Sequence, residues 1–212
     1  CSGEALPAQL ATDFKTLFPA IKLHNLYGPT EVAIDVSFYD DIQADMTLIP
    51  IGKPIQNIRL YVVDATNNIA PIGAVGELHI GATNLDRGYL NQPALTAEKF
   101  IDNPFATQDD LAQGYTKLYK TGDLVKRLPD GNLEYIGRND FQVKIRGYRI
   151  ELTEIESTLT SIEGIQQACV LAKEINGSKY LIGYFFIEDA REISEDSILK
   201  ILSEKLPDYM VP

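Results

Sequence analysis

Four stretches carry side chains that could handle a polar ligand: "NLYGPTE" at 25–31, "YKTGDL" at 119–124, "GRNDFQVKIRGYRIE" at 137–151 and "LPDYMVP" at 206–212. The first ends an apolar run in Gly28-Pro29 and then presents the hydroxyl of Thr30 and the carboxylate of Glu31. The second sets Asp123 behind Thr121-Gly122, which reads as a turn. The third alternates Val143 and Ile145 with Gln142, Lys144 and Arg146, the pattern of one half-buried strand. Hydroxyl, carboxylate, phenol and guanidinium groups are the parts from which a charged ligand is held. Taken singly, each stretch has a plainer explanation: two turns and a solvated sheet face.

These residues need elements to hold them. Leu10, Phe14, Leu17 and Phe18 form a helical stripe behind Pro7, and "IKLHNLY" reads as the following strand. From about residue 50 to 137 the chain turns to short strands: "RLYVVD", a turn at Asn67-Asn68, "GELHIG", "KLYKTGDLVKRL", a Pro129-Asp130-Gly131 turn and "NLEYIG". That spacing predicts an antiparallel, barrel-like subdomain, interrupted by one helix around "LTAEKF". Beyond Asp140 the pattern changes again. Thr153 and Glu156 read as a capping box for a helix carrying Leu152, Ile155, Leu159 and Ile162. "QQACVLAKE" and "KYLIGYFFIE" flank Asn176-Gly177 as a hairpin, a simpler reading than a glycosylation sequon. Ser194 caps a last helix through Ile198, Ile201 and Leu202.

Composition narrows the class of function. With 212 residues the chain can build one large or two small cores. A net charge of −11, from 30 acidic against 19 basic residues, argues against a nucleic-acid surface, which needs clustered Lys and Arg. No apolar run reaches the length of a membrane span. Cys1 and Cys169 lack zinc-site spacing and read as incidental thiols of a reducing cytosol. The chain opens at Cys1 without Met and stops at Pro212 straight after an apolar helix, which reads as a piece of a longer protein.

In their order and separations, the four stretches together resemble the adenylate-forming (AMP-binding) enzymes, most closely the amino-acid adenylation domains of nonribosomal peptide synthetases. "IGKPI" at 51–55 and "GELHIGATNLDRGYLN" at 76–91 fit the same family, with Gly81-Ala82 where the family usually has two glycines. The resemblance implies an α/β and α+β fold. Residues 1–140 would be the back of the large AMP-binding domain, an αβ segment plus the barrel-like subdomain. Residues 141–212 would be most of the small α+β C-terminal domain. The family's phosphate loop and catalytic lysine would lie outside this stretch, upstream of Cys1 and after Pro212, so the stretch alone would be nearly inert.

By that resemblance the chain takes part in activating an amino acid with ATP and magnesium, then loading it on the phosphopantetheine of a peptidyl carrier protein beside a condensation domain. The setting implied is cytoplasmic, in secondary metabolite biosynthesis, with no membrane or nucleic-acid partner. Tyr27 would stack on adenine, Gly3 would let the backbone approach the base, and Asp123 would accept hydrogen bonds from both ribose hydroxyls. Tyr135 and Arg138 would close the ribose side, Thr30 would donate to the α-phosphate, and Glu31 would ligate magnesium. Gly28-Pro29 would stiffen the turn that aims Tyr27 one way and Thr30 and Glu31 another. Asp140 matches the family's hinge, and Gly147 lies where the phosphopantetheine arm passes.

Carried-over substrate-pocket positions are Ser2, Leu26, Ile34 and Asp35. That set resembles serine-activating domains, because a carboxylate at Asp35 can accept the hydrogen bond of a small hydroxyl; larger polar substrates such as glutamine also meet an Asp here. Two rivals remain. A stand-alone ligase for acyl groups and coenzyme A, or for D-alanine and a carrier, shares the family; "NLYGPTE", "YKTGDL" and "LPDYMVP" favour the peptide-synthetase branch. A nucleotide-binding relic without chemistry is the other, and intact Thr30, Glu31, Asp123 and Arg138 weigh against it.

Overall fold

In a computed structural model, which describes residues 1–32, 34–40, 42–175, 178–187 and 194–212, the chain folds as two compact units, Cys1–Asn139 and Asp140–Pro212. The first begins with α1 (Ala8–Leu17), followed by the short strands β1 (Asn25–Tyr27), β2 (Ser37–Tyr39) and β3 (Lys53–Pro54). These three pair antiparallel in that order, with Tyr27 opposite Ser37. Strand β1 is shorter than expected: Ile21 to His24 lie outside it. Its ladder with β2 stops at Asn25–Tyr39, and Ile21 is exposed, so neither pairing nor burial extends the strand.

The middle of this unit contains β4 (Ile58–Val63), β5 (Val75–Ala82), α2 (Pro93–Lys99), β6 (Phe100–Asp102), α3 (Gln108–Ala112), β7 (Lys117–Arg127) and β8 (Leu133–Arg138). The strands form one antiparallel sheet in the order β4-β5-β7-β6, with β8 also on β7, and a Gly52–Leu133 bridge continues it toward β3. Strand β5 is buried along nearly its whole length, and Leu78, Ile80, Leu118, Tyr119 and Val125 fill the core. The Asn67-Asn68 turn forms as expected, with Asp64 accepting from the backbone N–H of Thr66 and Asn68. Helix α3 was not anticipated, although its signal was present: Thr107 and Asp110 form a capping box.

Thr121-Gly122-Asp123 is not a turn. It lies inside β7, because the flanking Leu118, Tyr119 and Val125 are all buried and hold the strand on course. Between the pairs His79–Lys120 and Glu77–Leu124, β5 spends one residue while β7 spends three, so the three residues form a bulge. Gly122, at φ +74°, supplies the left-handed backbone that the bulge requires.

The second unit opens with β9 (Gln142–Ile145) and β10 (Tyr148–Glu151), then α4 (Leu152–Thr160), β11 (Ile165–Ile175), β12 (Ser178–Ile187) and α5 (Glu195–Lys205). The expected single strand through 141–150 is therefore a hairpin. Arg146 (φ +53°) and Gly147 (φ +79°) turn the chain so that Ile145 pairs with Tyr148, a tight turn that apolar–polar alternation alone does not reveal. The Thr153–Glu156 capping box does not form either. Helix α4 starts at Leu152 to put Leu152, Ile155 and Leu159 on the buried face, and Glu156 instead accepts from the Val170 N–H at 2.8 Å. Strands β11 and β12 pair antiparallel; the Asn176-Gly177 turn expected between them lies outside the described residues. Ser194 caps α5 as expected, accepting from the Ser197 N–H. A separate core of Ile150, Ile155, Leu159, Val170, Ile198 and Leu202 holds this unit together.

Candidate active site

The β7 bulge sets the site. Thr121 Oγ1 donates to the Leu78 carbonyl at 2.8 Å and accepts from the Asp123 N–H at 2.9 Å, which locks the bulged residues to β5. Asp123 is 3% exposed and stands across the ladder from Arg138 of β8. Arg138 Nη1 donates to Asp123 Oδ1 at 2.7 Å, and its Nη2 donates to the Thr121 carbonyl at 3.1 Å. The Tyr27 hydroxyl donates to the other oxygen, Asp123 Oδ2. Burial above all, then the neighbouring Asp123 charge and this hydrogen bond, pushes the Tyr27 phenol well above its ordinary range, so it stays a donor. A second irregularity, in β8 between the pairs Leu124–Gly137 and Val125–Tyr135, leaves Ile136 unpaired beside half-buried Tyr135.

Glu31 is reached through the Gly28-Pro29 turn. A Cβ on Gly28 would lie 1.9 Å from the Ile34 carbonyl oxygen, so only glycine permits this close return of the chain. Thr30–Val32 then form a short 3-10 turn that buries Glu31 to 7% exposure and leaves Thr30 exposed. Glu31 Oε1 accepts from the Tyr89 hydroxyl at 2.8 Å, and that hydroxyl lies 3.4 Å from the Tyr119 hydroxyl. Burial first, then the hydrogen bonds with Tyr119 and Glu31, raises the Tyr89 phenol as well. The loop before Tyr89 is tied to the same turn by the Asp86 N–H donating to the Glu31 carbonyl at 3.0 Å.

The N-terminal residues run beside β1. The Leu26 N–H donates to the Cys1 carbonyl at 2.8 Å, and Ser2 Oγ donates to Asp35 Oδ1 at 3.0 Å. Gly3 follows at φ +94°. Ile34 is 74% exposed at φ +83°, apart from the Ser2–Asp35 contact. So Tyr27 and Arg138 both touch Asp123, Ser2 and Asp35 touch, and Thr30 and Glu31 share the turn that leaves Tyr27. In the second unit Asp140 Oδ1 accepts from the Gln142 N–H at 3.1 Å, and Gly147 occupies the β9–β10 turn. Cys1 and Cys169 are free and exposed.

Tyr89, Thr121 and Glu77 escaped the sequence reading. Tyr89 lies in "DRGYLN" without a role, although a phenol in a polar loop was a signal; Glu77 is the one acid within the apolar strand "GELHIG". Among the described residues no group of three or more His, Cys, Asp or Glu could hold a metal. A magnesium ion here fits only as one that takes a single carboxylate from the chain and its other ligands from phosphates and water. Glu31 suits that part.

The profile of the AMP-binding enzyme family matches residues 1–90. Over 212 residues, 99% of this chain, tyrocidine synthase 3 of Brevibacillus parabrevis is 46% identical, with the match spanning 3% of that protein's length. Residues 1–90 of this chain are thus identified as part of an AMP-binding enzyme. The chain's likeness to solved adenylation-domain structures extends over its full length. It superposes on the Vibrio cholerae adenylation domain AlmE, solved in complex with glycyl-adenosine-5'-phosphate, at a TM-score of 0.84 with 28% identity, covering 100% of this chain and 39% of that one. It superposes on PA1221, a nonribosomal peptide synthetase protein containing adenylation and PCP domains, at 0.82 with 28% identity, covering 100% of this chain and 41% of that one. The chain thus spans well under half the length of each of these three proteins. Its α/β and α+β architecture is that of an adenylation domain. No helix among the described residues is long and apolar enough to cross a membrane.

Proposed function

We propose that the chain is the nucleotide-holding back part of an amino-acid adenylation domain. In the complete synthetase the amino-acid carboxylate attacks the α-phosphorus of ATP, the bond to the β-phosphate oxygen breaks, and pyrophosphate leaves. The resulting aminoacyl-AMP then yields its acyl group to the phosphopantetheine thiol of a carrier protein, with AMP as leaving group. The observation that carries this reading is the Asp123 carboxylate, buried on the β7 bulge and oriented by Arg138 and Tyr27. Each of those donors engages a different oxygen, and a carboxylate oxygen accepts two hydrogen bonds, so both retain a direction for a ribose hydroxyl. A fixed acceptor pair of this kind suits a vicinal diol.

Around it Tyr27 and Tyr135 border the nucleoside, Gly3 lies beside the base, and Thr30 donates to the α-phosphate. Glu31, held by Tyr89, is the chain's ligand for magnesium, which neutralises phosphate charge when bound. Residues 1–140 belong to the large domain and 141–212 to the small one, with Asp140 as hinge and Gly147 beside the phosphopantetheine path; two separate cores favour that division. We place the protein in the cytoplasm, where ATP and a loaded carrier are available.

The substrate favoured is L-serine. Ser2 and Asp35, 33 positions apart in sequence, meet at 3.0 Å, and the Asp35 carboxylate is an acceptor suited to a substrate hydroxyl. ATP–pyrophosphate exchange by the complete synthetase with each amino acid in turn tests both levels. Exchange strongest with serine is the expected result. Exchange with another amino acid ends the serine assignment, and no exchange with any amino acid ends the adenylation reading.

A further inference from the structure

Behind the Asp123 bulge lies an acid to which the reaction above gives no part. Glu77 of β5 is only 18% exposed in its side chain. Its Oε1 accepts from the Gly122 N–H, inside the bulge, at 3.0 Å. Its Oε2 accepts from Asn139 Nδ2 at 3.2 Å, and the His79 Nε2 lies 3.7 Å from that same oxygen. Asn139 is fastened to the bulge a second time, its own N–H donating to the Gly122 carbonyl at 2.9 Å. Gly122 therefore has both of its peptide partners in one small ring: its N–H goes to Glu77, its carbonyl takes Asn139, and Asn139 closes the ring on Glu77.

Two features make this more than an ordinary strand contact. A three-against-one bulge breaks the β5–β7 ladder, so the Gly122 N–H has no strand partner and must find an acceptor elsewhere. Glu77 supplies it. Burial alone would push the Glu77 carboxyl up, but the neighbouring His79 and the hydrogen bond from the Gly122 N–H outweigh it and hold the carboxyl below its ordinary range, so the acid stays charged and acceptor-only. Asn139 is also the last residue of the first unit, directly before Asp140.

We infer that Glu77 is a positioning residue that clamps Gly122 and Asn139 together, so that the seat of Asp123 and the end of the first unit form one hydrogen-bonded piece. This rests on the reading of Asp123 as the ribose acceptor. Glu77 touches no reacting atom. It acts by keeping the Asp123 carboxylate aimed, and by fixing where the chain leaves the first unit.

A donor–acceptor exchange tests the clamp in the complete synthetase. Glu77→Gln keeps an acceptor for the Gly122 N–H but turns an amide N–H toward the Asn139 amide, donor against donor. Asn139→Asp alone sets two carboxylates against each other. Together, Gln donates to Asp and the pairing is restored with its direction reversed. In amino-acid-dependent ATP–pyrophosphate exchange, each single variant should raise the KM for ATP about tenfold, with kcat lowered less than about threefold, since a hydrogen bond to a charged group is involved. The double variant should return to within about threefold of wild type. A double variant as impaired as the product of the singles, or single variants with wild-type KM for ATP, overturns the inference. Melting temperatures are measured alongside, and a loss of stability without the KM change also counts against it. Failure of the wild type to exchange pyrophosphate would instead overturn the adenylation reading itself.

Discussion

Replacing Asp123 with asparagine and with alanine separates what the carboxylate does for a nucleotide from what it does for the fold. In the structure Asp123 is 3% exposed and its ion pair with Arg138 leaves the two side chains 4% and 8% exposed. Asparagine can keep its oxygen toward Arg138 and turn its amide to the Tyr27 hydroxyl, which accepts as readily as it donates. The packing then survives while the charge offered to the ribose is lost. Exchanging a charged acceptor for a neutral one, and placing an N–H where a hydroxyl should donate, removes one charge-assisted hydrogen bond and weakens the other. At about 1.5–3 kcal/mol for such a bond, the KM for ATP should rise at least about tenfold, with kcat for pyrophosphate exchange little changed. Alanine goes further. It strands the Arg138 guanidinium in a buried site, and breaking such a pair costs about 3–5 kcal/mol of folding stability. The assay is exchange against ATP concentration for wild type and both variants, with urea unfolding of each in parallel. Asparagine, which keeps an acceptor for Arg138 but not its counter-charge, should raise KM with the smaller loss of stability, and alanine should raise KM with the larger. If both variants kept the wild-type KM for ATP, Asp123 would not be the ribose acceptor, however buried it is.

Three further outcomes are expected. Tyr89→Phe leaves Glu31 without its phenol donor at 2.8 Å while keeping the ring, and should slow adenylate formation roughly tenfold at saturating ATP, as an under-satisfied buried acceptor costs about 1–3 kcal/mol; an unchanged rate in single-turnover measurements would remove Tyr89 from the site. Asp35→Ala should collapse the preference for serine over alanine, a difference of about 2–4 kcal/mol in specificity, without moving the KM for ATP; paired exchange assays with both amino acids decide it. Glu77 makes stability depend on pH in a definite sense. Its carboxyl lies below its ordinary 4.5 in the folded chain, so its contribution is full above about pH 4.5 and is lost as pH falls through the folded value. Urea midpoints from pH 6 to pH 3 should fall less steeply for Glu77→Gln than for wild type, and parallel curves would contradict the shift.

Much of the local structure was legible because its causes are local. Ser194 and the acids after it mark the start of α5, and Lys205 its last turn, through backbone donors and acceptors within a few residues. The turn at Asn67 follows from a residue that tolerates φ +62°. The motifs "NLYGPTE" and "YKTGDL" pointed to the nucleotide residues by resemblance, one residue at a time.

What sequence could not contain is which of these residues meet. Tyr27 and Asp123 are 96 positions apart, Glu77 and Asn139 are 62, and Ser2 and Asp35 are 33. Their contacts depend on strand register, and register in β5, β7 and β8 is set by bulges at Thr121–Asp123 and Ile136. A side chain's face changes with every residue inserted into a ladder, so alternation read along one strand cannot show where the insertion falls. That is why Thr-Gly-Asp read as a turn and "QVKIRGYRI" as one strand. The residue types, and with them the chemistry on offer, were determined by the sequence. The bulge that turns Asp123 toward Tyr27 and Arg138 was decided only when three strands competed for the backbone of β7, leaving the Gly122 N–H for Glu77 to take.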